Sequence, residues 1–336
     1  MRRFVRFAAA SAVALAFAAP ASAQTLPTND PVLRRIWELG MEQSHTYDLA
    51  QVLSDSIGPR LTGSPGHRAG NEWLARTYAS WGIPARQEKY GTWSSWRRGI
   101  SHIDLVTPRV RSLEGTMLAY SPGTGGRPVT APVVILPSVK DSAEFARWLP
   151  AVKGKYVLVS MPQPTCRPDS AWAQWATKES FAKLVASRDS ATRAWNARVA
   201  ATGYGLSLGT GTLGVRLEQA GAAGVIASRW SEGWGVNKVF FTRNEKVPAI
   251  DLSCEDYGLV FRLAENNQAP TLRVTAESQQ LGEQPVFNTV AEMKGTQKPG
   301  EYVLLSAHFD SWDAGSGATD NGTGTVVMME AMRILK

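Results

Sequence analysis

Apolar residues recur at helical spacing over 31–51, through Val32, Ile36, Leu39 and Leu49, with Val52 and Leu53 just beyond. A second helix is expected over 68–81, with Trp73, Leu74 and Tyr78 on one side and Gly82 as its stop. The stretch SIGPRLTGSPGH between them, 56–67, is a loop by its Gly and Pro content. From about residue 111 the texture changes. Short runs with β character (APVVILP, KGKYVLVSMP, AGVIAS, VPAIDLS and TLRVTA) alternate with helical pieces over 170–200, 213–222 and 254–266. This reads as a compact mixed domain of its own. After Gln284 the texture changes again. NTVAEMKG, 288–295, alternates as a strand; KPGE is a turn; YVLLSA, 302–307, suits a sheet interior. The last stretch, 325–336, is a helix apolar nearly all round, with Glu330 and Arg333 as a thin polar stripe, so it is expected to be buried on most sides. It has no stop signal, and the chain is expected to end inside a domain.

The first residues, MRRFVRFAAASAVALAFAAPASAQ, form a basic start, an apolar run and an Ala21-Ser22-Ala23 cleavage pattern. That is a secretory signal peptide over 1–23, too short to serve as a spanning anchor. A secreted or periplasmic protein with no membrane anchor is expected. Loss of Arg2, Arg3 and Arg6 lowers the formal net charge from +7 by three, and no Lys/Arg cluster with interleaved aromatics argues for nucleic acid. Cys166 and Cys254 are an even pair in an exported chain; they can bridge or stay free, and neither has a neighbouring His or Cys to make a metal knuckle.

The chemistry concentrates in SAHFDSWDAGSGATDNGTG, 306–324. His308 follows the apolar run, Asp310 comes two residues later, and Asp320 stands where a helix would begin after a Gly-rich loop. Ligands in open α/β sheets gather beyond the carboxyl ends of strands, and imidazole and carboxylate are ordinary Zn²⁺ ligands. The plainer reading is a surface loop with Asp320-Asn321-Gly322 as a turn and cap. Other motifs are weaker. Gly205-Leu206-Ser207-Leu208-Gly209 matches a nucleophile elbow but is followed by another Gly-rich loop. The stretch 209–214 matches G-x-G-x-x-G, but no acid stands at the tip of the next strand for a ribose. His45 and His67 sit near polar loops and are expected to be ordinary hydrogen-bonded histidines. Trp73, Trp81, Trp93 and Trp96 are expected to pack one domain on another, and Arg60 to make a structural salt bridge.

YVLLSAHFDSWDAGSGATDNGTGTVVMMEAMRIL resembles the metal-site segment of the M28 family of zinc aminopeptidases and carboxypeptidases. NTVAEMKGTQKPGE and IGPRLTGSPGHRAGNEWLARTYASWGI are similar to other parts of that family. VPAIDLSCEDYGLVFRL and LEQAGAAGVIAS resemble a protease-associated (PA) insert, an arrangement found in the carboxypeptidase Q-like branch. The resemblance implies an α/β, mixed-sheet zinc-exopeptidase (phosphorylase/hydrolase-like) domain, truncated at its C-terminus, with an inserted β-rich PA domain. The implied divisions are 1–23 signal, 24–110 first part of the peptidase domain, 111–283 PA-like insert and 284–336 start of the catalytic domain. It also implies that His308 ligates one zinc, that Asp320 bridges two Zn²⁺ ions, and that Asp310 acts in catalysis by orienting His308. Asp313 has no role in the pattern and is taken as a loop residue. The family's adjacent Glu-Glu pair, further acid and second ligand His do not occur in this sequence, so the stretch as given is expected to be inactive alone.

The function expected is exopeptidase hydrolysis of short peptides or dipeptides by metal-activated water. A secreted PA-type binding module with a vestigial zinc segment is the alternative. Oligomeric state is open, a homodimer being one option.

Overall fold

The computed structural model describes residues 26–207, 209–236 and 239–336. The stretch 1–23, expected to be a signal peptide, lies outside them. By internal contacts the chain divides into a first unit ending at His45 and a second that begins at Thr46. In the first, Asp30 caps helix α1 (Pro31–Trp37) by accepting from the backbone N–H groups of Val32 and Leu33.

The second unit is a mixed α/β body. Its helices before the sheet are α2 (Thr46–Gln51), which continues as a wider π turn to Ile57, and α3 (Pro65–Ser80). Ser64 caps α3 with its hydroxyl, Pro65 opens it, and Gly82 ends it with a positive φ of 70°. The strands are β1 (Ala85–Thr107), β2 (Arg111–Leu113), β3 (Gly115–Met117), β4 (Val129–Ile135), β5 (Tyr156–Leu158), β6 (Gly224–Ala227), β7 (Ala249–Leu252) and β8 (Thr271–Ala291). They form one sheet in the order β2-β1-β8-β4-β5-β6-β7-β3. β4 to β7 run parallel, and their crossovers carry α4 (Ser142–Trp148), α5 (Asp169–Trp175), α6 (Lys178–Ala201) and α7 (Gly211–Gln219). Fully buried parallel strands read as continuous apolar runs, which is how β5 and β6 look in sequence.

β1 is the element that the hydrophobic pattern does not announce. Its stretch 86–100 is mostly polar and exposed, and it becomes a strand by pairing antiparallel with β8 along nearly its full length. Register shifts at Lys89/Gly91 and Ser95/Trp96 interrupt the ladder and break the simple alternation. The result is a long two-stranded ribbon whose far end joins the sheet.

Buried apolar side chains fall into two clusters. One surrounds β4 to β7, with Tyr156, Ile226, Ile250 and Phe261 among its members. The other gathers Leu49, Leu53, Leu74, Tyr78 and Ile83 with Val326 and Met329 of α9 (Thr323–Leu335). Cys166 and Cys254 are joined in a disulfide, which fastens the start of α8 (Cys254–Glu265) to the loop before α5.

Two expectations change. The apolar run 302–307 pairs with no strand among the described residues, and Val303 is 91% exposed. A sheet-interior strand needs a neighbour on each side, and this run has no ladder partner among the described residues. The polar stripe of α9 also faces inward. Glu330 is buried and its carboxylate accepts two hydrogen bonds from Arg333, at 2.8 Å each, while Val327 is exposed.

Candidate metal centre

The loop that carries His308 is anchored from the stretch between α2 and α3, and Arg60 is the anchor. Its side chain is fully buried. Nε donates to Phe309 O at 3.0 Å, one terminal nitrogen to Gly58 O at 2.7 Å and Ser316 O at 3.1 Å, and the other to Gly317 O at 2.8 Å. Its backbone N–H donates to Ser311 Oγ at 2.9 Å, and Ser311 N–H returns a bond to Arg60 O at 3.1 Å. The hydrogen-bond partners of this guanidinium among the described residues are carbonyls, so a tether takes the place of the expected salt bridge. Carbonyl oxygens of a sharply turning loop need donors once they leave water, and a planar fork of five N–H groups reaches several at once. Phe309 packs beneath, between the Arg60 guanidinium (5.5 Å from the ring centre) and the ring of His67 (5.8 Å). Gly70 makes room for it: a Cβ there would lie 2.5 Å from Phe309 Cζ.

On this base His308 and the two carboxylates converge. His308 Nδ1 is 3.2 Å from Asp310 Oδ1, and Nε2 is 3.1 Å from Asp320 Oδ1. Asn321 Nδ2 donates to His308 O at 3.2 Å, tying the two halves of the loop. All three side chains are about half exposed, so the cluster opens to solvent. Asp310 also acts at longer range. Burial holds the His67 imidazole below its usual range and Asp310 partly opposes this; burial raises Tyr90 and Tyr120, and Asp310 adds to both.

This donor set suits a cation in part. Two ligands each about 2.0–2.1 Å from one Zn²⁺ stand roughly as far apart as Nε2 and Oδ1 do here. Asp310 engages the other ring nitrogen, as a carboxylate behind a ligating His does. The set is also short: among the described residues no group of three or more His, Cys, Asp or Glu side chains is placed to hold one ion.

Asp313 is more than a loop residue. It is buried and paired with Arg98 of β1, whose Nε donates to Oδ2 at 2.6 Å. No sequence signal marked this pair, because the partners are 215 residues apart. His67 is buried, and no described residue hydrogen-bonds its ring. Of the four tryptophans, Trp96 is buried and donates to Ser121 O at 3.0 Å, Trp73 and Trp81 pack on the α2–α3–α9 cluster, and Trp93 is half exposed. In the two weaker motifs Gly209, Gly211 and Gly214 serve close packing, whereas Gly205 faces open space. A Cβ on Gly209 would lie 1.8 Å from Phe241 O, and one on Gly211 would lie 2.3 Å from Gly205 O.

Residues 288–336 match the model of peptidase family M28. Carboxypeptidase Q of Bos taurus is 25% identical over 88% of this chain and 56% of its own length. The Rattus norvegicus carboxypeptidase Q is 26% identical at the same coverage.

The likeness is to peptidase family M28, over residues 288–336.

The M28 match covers the whole His308–Asp320 loop and α9. The crystal structure of a peptidase M28 precursor from Shewanella amazonensis SB2B superposes with a TM-score of 0.59 at 22% identity, over 90% of this chain and 62% of that one, so the two share a fold. The chain spans about half the length of the curated relatives that it matches.

Proposed function

We propose that this chain belongs to an exported two-zinc exopeptidase that hydrolyses short peptides or dipeptides. The observation that carries the reading is the placement of His308, with one ring nitrogen against Asp310 and the other against Asp320. His308 Nε2 and Asp320 would hold zinc, and Asp320, having two carboxylate oxygens, could bridge two ions. A bound zinc pair supplies Lewis acidity toward water and the scissile carbonyl. Asp310 keeps the imidazole in the tautomer that leaves Nε2 free to donate its lone pair. Arg60 and the Arg98–Asp313 pair keep the loop in the shape that brings these groups together.

Residues 111–283 form a PA-like insert in this reading, built around the apolar cluster of β4 to β7, which also takes in Leu61, Trp96, Ile103 and Leu105 from the stretch before it. Export is supported by the Cys166–Cys254 disulfide, since such bonds persist in oxidising compartments, and by the basic-then-apolar start of the sequence. No described helix is long and apolar enough to cross a membrane.

Zinc titration of the full-length protein and of its His308→Ala variant, with metal content measured after dialysis, tests the reading. The unaltered protein should retain zinc and the variant should lose it. Equal retention by both would sink the assignment.

A further inference from the structure

A cavity of about 400 Å³ lies between the first turns of α3 and the ribbon of β1 and β8. No residue of the His308 loop lines it. Leu281, Pro285 and Phe287 give it an apolar wall. Of its polar lining residues His67, Asn71 and Ser95 are almost wholly buried: His67 is 5% exposed, Asn71 2% and Ser95 2%, and the Asn71 amide is already engaged, donating to His67 O and accepting from Thr289 Oγ1. Neither the imidazole nor the hydroxyl hydrogen-bonds to a described residue, although buried polar groups are nearly always paired. Both therefore face the cavity with donors to offer. Arg97 stands at the same cavity, exposed, with no ion pair or hydrogen bond among the described residues. The other charges there are already engaged: Arg68 Nε donates to Glu72 at 3.1 Å, and Arg76 approaches the same carboxylate at 4.0 Å. A ligand amine would find no unpaired acid on these walls, whereas an anion would find a free guanidinium and two neutral donors.

We propose that this cavity holds the carboxy-terminal residue of a peptide, with its carboxylate on Arg97, Ser95 and His67 and its side chain against Leu281, Pro285 and Phe287. The proposal deepens the exopeptidase reading and takes its peptide from it. The pocket's own chemistry needs no metal. His67 links the two places, since its ring packs on Phe309, the neighbour of His308.

The test uses the chain in the presence of chelator, titrated with N-acetyl-leucine and with N-acetyl-leucinamide and followed by calorimetry or amide NMR. The acid should bind and the amide should bind about tenfold more weakly or worse, as expected for loss of a charge-assisted contact. Arg97→Gln, exposed and harmless to folding, should weaken the acid by about tenfold, and Ser95→Ala by several-fold. Circular dichroism melting verifies that both variants are folded. Equal binding of acid and amide, no binding of the acid, or an Arg97→Gln variant that binds like the unaltered chain would each overturn the pocket. Because zinc is absent, the result is independent of the His308→Ala titration: the pocket can stand while the metal assignment fails, and the reverse.

Discussion

The guanidinium of Arg98 on β1 is ion-paired to the carboxylate of Asp313, on the loop that begins at His308, and both side chains are largely buried. The same guanidinium donates to Thr116 Oγ1 on β3 at 2.7 Å and lies 5.0 Å above the ring of Trp96. One side chain thus joins the His308 loop to two strands of the sheet. Its neighbour Arg97 lines the cavity instead, because successive residues of a strand point to opposite faces.

Arg98→Ala should be strongly destabilising, by about 3–5 kcal/mol, since it strands a buried carboxylate. Replacing both partners with apolar residues should cost clearly less than the single change. Urea unfolding of the two variants checks this; a loss below about 1 kcal/mol for Arg98→Ala would show that the pair is solvent-screened like a surface bridge.

Arg60→Lys keeps the charge and loses the fork. An ammonium cannot reach Phe309 O, Gly58 O, Ser316 O and Gly317 O together, so at least one buried carbonyl goes unpaired. A destabilisation of about 2–3 kcal/mol is expected, with faster amide exchange at Gly322, whose N–H donates to Gly317 O at 2.9 Å. Unchanged exchange there would remove Arg60 from the role of loop anchor.

Stability should fall as pH rises from about 4 to about 7, on account of Asp251. Burial pushes this carboxyl up to about 7, against a weaker opposing pull from the Arg229 N–H and side chain. A folded pKa above the unfolded one means that the native state holds the proton over that window, and its advantage is lost as pH climbs through the folded value. Asp251→Asn should flatten the slope. Chemical denaturation at pH 5 and pH 8 measures it, and an unaltered slope in the variant would assign the pH dependence to another group.

The helices and parallel strands were largely legible in the chain, because their signals are local. Gly82 ends α3, and β5 and β6 are unbroken apolar runs. His308, Asp310 and Asp320 were legible for the same reason: they sit within 13 residues on one Gly-rich loop. What lay beyond reach of the pattern depends on partners distant in sequence. β1 exists because β8 pairs with it, the 302–307 run is left without a ladder for want of neighbours, and Cys166 meets Cys254 across 88 residues. Likewise Asp313 is buried because Arg98 arrives from β1. Sequence by itself determined the local periodicities and the chemical identity of the loop. Only the tertiary structure decided which charges are buried, since burial of a charge requires a counter-charge or donors that the chain must bring from elsewhere.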